Sequence, residues 1–139
     1  MHEFESFVYL APQKTGTTFI SAMLARFVRE KEIRHDSHQP MEANYDPKKF
    51  YFISIRDPLD SYLSLYSYGS EQRGKMHKKF KNEGTADLYD GTMRGFQNWL
   101  KFTLKPKNAD GVDRVYSSMG DGEISKLIGL QSFRYLRVA

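Results

Sequence analysis

The sequence predicts an α/β fold with a central parallel β-sheet flanked by helices, and two stretches carry that prediction. Each is a short apolar run that passes through a turn into a helical pattern. The two runs, Phe7-Val8-Tyr9-Leu10-Ala11 and Phe50-Tyr51-Phe52-Ile53-Ser54-Ile55, are nearly continuous in apolar residues rather than alternating, as in strands covered on both faces of a parallel sheet. At 139 residues, with 40% apolar and 27% charged side chains, the chain suits a single globular domain with its own core.

The first run leads into Pro12-Gln13-Lys14-Thr15-Gly16-Thr17-Thr18. Beyond that turn, Phe19, Ile20, Met23, Leu24, Phe27 and Val28 recur as adjacent pairs every four residues, one face of an amphipathic helix. A strand feeding a helix through a glycine turn aims several backbone N–H groups and the positive end of the helix dipole at one point, which favours an anion there. The turn is P-loop-like without being a Walker A loop. In Walker A the lysine follows the second glycine and precedes Ser or Thr, whereas Lys14 precedes the single Gly16.

The second run ends in Arg56-Asp57-Pro58. Asp57 suits a helix N-cap, Pro58 the first helical position and Asp60 the third, so the spacing predicts a helix starting there with Leu59, Tyr62, Leu63 and Tyr66 as its apolar stripe. Ser64 falls on a neighbouring face, eight positions after Arg56. An arginine fork and a serine hydroxyl are both phosphate donors. In the plainer alternative Arg56 pairs with Asp57 or Asp60 and Ser64 is helix surface.

The first turn resembles the 5′-phosphosulfate loop of the sulfotransferases, in which Pro-Lys-Ser/Thr-Gly-Thr-Thr is followed by an aromatic residue. With Gln13 between Pro12 and Lys14 it is nearest to the heparan sulfate N-sulfotransferase variant. Arg56 and Ser64 match the family's 3′-phosphate element in spacing and in chain order. The resemblance implies a P-loop-like fold binding 3′-phosphoadenosine 5′-phosphosulfate as co-substrate and passing its sulfuryl group to a hydroxyl or amine of a small-molecule or glycan acceptor. It assigns Lys14, Thr15, Gly16, Thr17, Thr18 and Phe19 to the 5′ side and adenine, and Arg56 and Ser64 to the 3′-phosphate. Lys14 and the helix end supply the positive field, so the transfer needs no metal.

Sulfuryl transfer to a hydroxyl also needs a base, since the attacking oxygen must lose its proton. His38, in Asp36-Ser37-His38-Gln39-Pro40, resembles the family's His-x-Pro base, and a side chain titrating near neutrality suits that role. Other branches use a glutamate, for which Glu42 is the nearest substitute; a histidine beside proline in a polar loop is otherwise simply solvated. The resemblance spans roughly residues 6 to 68. The family's later glycine-rich basic segment has no counterpart, because Gly120-Asp121-Gly122-Glu123 is acidic and Gly129 stands alone before Arg134 and Arg137. A truncated or minimal form is therefore expected.

Other classes are less well served. A kinase on a related fold calls for a Walker B aspartate ending an apolar strand, but the second run ends in Ile55-Arg56. A non-catalytic nucleotide-binding domain remains the other alternative. The chain has no apolar stretch near the ~20 residues of a membrane span and no signal-peptide pattern in Met-His-Glu-Phe-Glu, so a cytoplasmic location without membrane partners is expected. With no cysteine there is no thiolate metal site, and the four histidines are not in metal-ligand spacing, so no metal site is expected. Lys75, Lys78, Lys79 and Lys81, with Arg73, form either a solvated face or a patch for an acidic acceptor, consistent with a net charge of +4. Phe80 alone among them supplies no stacking platform for nucleic acid. Met93, Phe96, Leu100 and Thr103 or Leu104 predict a further helix over 92–104, with Trp99 and Phe102 either broadening its core face or lining a pocket. From Gly122 onward, Ile124, Leu127, Ile128 and Leu130 suggest a helix and Phe133–Val138 a strand.

Overall fold

The computed structural model describes residues 1–36, 45–105 and 108. They belong to two compact units, one reaching Arg56 and the other starting at Asp57.

In the first unit β1 (His2–Glu3), β2 (Phe7–Leu10), β3 (Arg34–His35) and β4 (Phe50–Ile53) form a four-stranded sheet in the order β3-β1-β2-β4. β2 and β4, the two strands that the apolar runs predict, pair in parallel from Phe7 opposite Phe50 to Leu10 opposite Ile53. The parallel sheet expected from sequence is corrected to a small mixed one, because β1 is antiparallel to both β2 and β3. The Phe4 N–H donates to the Phe7 carbonyl at 2.9 Å, closing a tight reversal that lays β1 back along β2 as a hairpin. Strands of two residues carry no period that a sequence reading can detect.

α1 (Thr17–Phe27) follows β2 through the predicted turn. Its apolar stripe is not the buried face that the sequence predicts. Phe19, Met23 and Phe27 are 68%, 40% and 63% exposed, while Ile20, Leu24 and Val28 are half-buried. Adjacent helix positions lie about 100° apart, so a stripe of adjacent pairs is too wide for one narrow sheet to cover.

The second unit contains α2 (Pro58–Ser70), α3 (Gly74–Asn82), a 3₁₀ turn at Ala86–Leu88 and α4 (Met93–Thr103). The predicted start of α2 holds in detail. Pro58 occupies the first turn, and the Asp57 carboxylate accepts from the N–H groups of Leu59 at 2.9 Å and Asp60 at 3.1 Å. The buried face differs from the predicted stripe: Ser61, Tyr62, Leu65, Tyr66 and Gly69 are inside, whereas Leu59 and Leu63 are exposed. Small residues explain the rotation. A Cβ on Gly69 would lie 2.2 Å from Tyr89 Cε1, so only glycine lets that ring pack against the helix.

Trp99 is fully buried and shares one apolar cluster with Tyr62, Tyr66, Phe80, Tyr89 and Phe96; Phe102 packs against its edge. It is a core residue. The basic run is partly paired at the surface, Lys79 with Glu83 at 2.5 Å and Arg73 with Glu71 at 3.2 Å. Such exposed pairs add little to stability. No helix among the described residues is long and apolar enough to cross a membrane. His38 and Glu42 lie outside the described residues, as do the elements expected from Gly122 onward.

Candidate functional site

The turn between β2 and α1 is held from below by hydroxyl groups. Thr15 Oγ1 donates to the Pro12 carbonyl at 2.9 Å, and so can only accept from Ser54 Oγ, 2.7 Å away. The Ser54 proton is then committed, and Ser54 accepts in turn from the Tyr9 phenol at 2.7 Å. A one-way chain thus runs from Tyr9 through Ser54 and Thr15 to Pro12. Burial raises the Tyr9 phenol above its ordinary pKa, which keeps it a neutral donor. Tyr9 and Pro12 are fully buried and Thr15 nearly so. Each polar atom in the chain therefore requires its neighbour.

Above this support the backbone takes an uncommon shape. Lys14 has φ 64° and Gly16 φ 85°. The left-handed region costs a residue with a Cβ roughly 1–2 kcal/mol, and residues held there cluster at ligand sites. Left-handed residues in such a turn direct successive N–H groups into a concavity suited to an anion. The helix adds to this. Its first internal bond runs from the Ile20 N–H to the Gly16 carbonyl at 3.0 Å, so the N–H groups of Thr17, Thr18 and Phe19 precede the helical ladder. Gly16 provides no side-chain cap, and the first turn carries no acidic residue. The positive end of α1 is left open to an anion.

Arg56 reaches the same turn from β4. Its Nη1 donates to the Lys14 carbonyl at 3.4 Å, joining two candidate residues that the sequence places 42 positions apart. The structure thus brings Lys14, Thr15, Gly16, Thr17, Thr18, Phe19 and Arg56 into one neighbourhood. Ser64, half-buried, lies on α2 in the second unit.

Such a geometry suits an anion. The model of the sulfotransferase family matches residues 1–119. The chain belongs to the sulfotransferase family. Neither a curated protein nor a solved structure matches it. The family match extends well past residue 68, where the recognisable motifs of this sulfotransferase end, and takes in α3 and α4.

Sequence reasoning does not find Ser54 and Tyr9, which hold the loop through their hydroxyl groups. The signal was present in Phe52-Ile53-Ser54-Ile55. A hydroxyl near the end of an apolar strand requires a buried partner.

Proposed function

We propose that this sulfotransferase uses 3′-phosphoadenosine 5′-phosphosulfate as donor and a hydroxyl or amine of a small molecule or glycan as acceptor. The observation that carries the reading is the convergence of Arg56 on the left-handed Lys14 turn. Two cationic residues thereby meet at an open helix N-terminus, and the nucleotide has phosphate groups on both its 5′ and 3′ positions for them to engage.

In this reading the N–H groups from Gly16 to Phe19 hold the 5′-phosphate, with the hydroxyls of Thr17 and Thr18 as further donors, and exposed Phe19 lies against the adenine. Arg56 and Ser64 take the 3′-phosphate. The acceptor oxygen or nitrogen attacks sulfur, the bond from sulfur to the bridging phosphate oxygen breaks, and 3′-phosphoadenosine 5′-phosphate departs. Lys14 offsets negative charge growing on that oxygen. His38 removes the acceptor proton, with Glu42 as its rival.

The test is to titrate 3′-phosphoadenosine 5′-phosphate and ATP separately against the full chain and compare thermal shifts. A larger shift with 3′-phosphoadenosine 5′-phosphate, without added magnesium, is expected. A shift with magnesium-ATP alone would replace this reading with phosphoryl transfer.

A further inference from the structure

At the β3 edge of the sheet three metal-ligating side chains meet. The register of β1 against β3 sets His2 directly opposite His35, with their rings stacked at 4.1 Å. Glu32, just before β3, brings Oε1 to 2.5 Å from His2 Nδ1. One ligating atom from each of the three residues can be chosen so that all lie within 4.8 Å of one another. A cavity of about 480 Å³ opens beside them toward α1. We propose that His2, Glu32 and His35 bind a divalent ion of the zinc class, with a solvent molecule in the fourth position.

The hydrogen bonding around His2 supports this. Its Nε2 lies 2.7 Å from Ser21 Oγ on α1. If Nε2–H donates to that hydroxyl, Nδ1 carries a lone pair and faces a carboxylate. At 2.5 Å the two atoms share a proton, and an ion binding both would displace that proton and move them apart. His2 itself is buried. The bond to Ser21 fixes the ring's tautomer and orientation, the part that a hydrogen bond on the far nitrogen plays for ligating histidines.

Two imidazoles and one carboxylate form a donor set that zinc accepts, leaving one position open. Bonds of about 2.05 Å at tetrahedral angles place ligand atoms about 3.3 Å apart. The closest pair must therefore open and the widest must close. Glu32 and His35 are both exposed and can make those movements. Linear spacing conceals the site, since only the pairing of two-residue strands brings positions 2 and 35 together. The bound ion would clip β1 to β3 and to the segment preceding it.

The experiment uses untagged full chain stripped with a chelator, titrated with Co²⁺ while visible absorption is followed and with Zn²⁺ by calorimetry. One equivalent of each ion is expected, with the intense cobalt bands of a tetrahedral site. His35→Ala and Glu32→Gln change exposed side chains and leave the fold intact; each should lower affinity by at least about tenfold. Ser21→Ala should lower it by about 10-fold, within the range for partners that orient a ligand. Failure of the wild type to take up one equivalent, or uptake unchanged in both His35→Ala and Glu32→Gln, would overturn the site and leave a proton-bridged His2–Glu32 pair.

Discussion

The Thr15 hydroxyl accepts from the Ser54 hydroxyl at 2.7 Å, tying the turn before α1 to the residue that follows β4. Because β2 and β4 are parallel neighbours, both chain ends emerge on the same side of the sheet, where α/β folds place their ligands. This bond makes the turn before α1 part of the sheet rather than a loose loop above it.

Thr15→Val keeps the side-chain shape but removes the donor to Pro12 and the acceptor for Ser54. Leaving buried polar atoms unsatisfied costs about 1–3 kcal/mol, so urea unfolding should show a loss of that size. Ser54→Ala should lose a comparable amount. The double variant should lose less than the sum, since both changes break one network. Strict additivity would mean that the hydroxyl chain does not act as a unit.

Lys14 combines an unfavourable backbone with the chemical role proposed for it, and the two can be separated. Lys14→Met retains the Cβ and removes the charge. It should reduce sulfuryl transfer by about 10²-fold or more, with a much smaller loss of nucleotide binding, because an interaction realised in the transition state is read in kcat. Lys14→Gly should lose transfer equally while its Tm does not fall, since glycine adopts φ 64° without a Cβ clash. Normal turnover in Lys14→Met would remove lysine from the mechanism.

Trp99 is fully enclosed by the aromatic cluster of the second unit. Trp99→Ala should cost about 3–5 kcal/mol, the range for emptying a large buried aromatic site. Denaturant unfolding measures it. Unchanged stability combined with altered ligand binding would instead make Trp99 the wall of a pocket.

What could be read from the sequence was local. Asp57 and Pro58 announce the start of α2 because capping depends on residues a few positions apart, and β2, β4 and the turn at Gly16 are marked by apolar runs and a glycine. What was missed depends on distant partners. β1 and β3 exist through pairing and not through pattern, and Ser61 and Gly69 face inward because of what packs on α2. Lys14 in the left-handed region has no sequence signature, since lysine is not a residue that seeks it. In the candidate site, Arg56 and the Lys14 turn were legible as motifs, whereas Tyr9 and Ser54 beneath them became visible only through their hydrogen bonds.

The central claim is that Arg56 and the Lys14 turn together bind a nucleotide with phosphates at both ends of its ribose. Calorimetric titration of the wild type and Arg56→Ala with 3′-phosphoadenosine 5′-phosphate and with adenosine 5′-phosphosulfate tests it most directly, because only the first ligand has a 3′-phosphate. Charge-assisted hydrogen bonds contribute about 1.5–3 kcal/mol each. Arg56→Ala should therefore weaken 3′-phosphoadenosine 5′-phosphate by about tenfold or more and leave adenosine 5′-phosphosulfate nearly unchanged; equal losses for the two ligands, or none for either, would contradict the account.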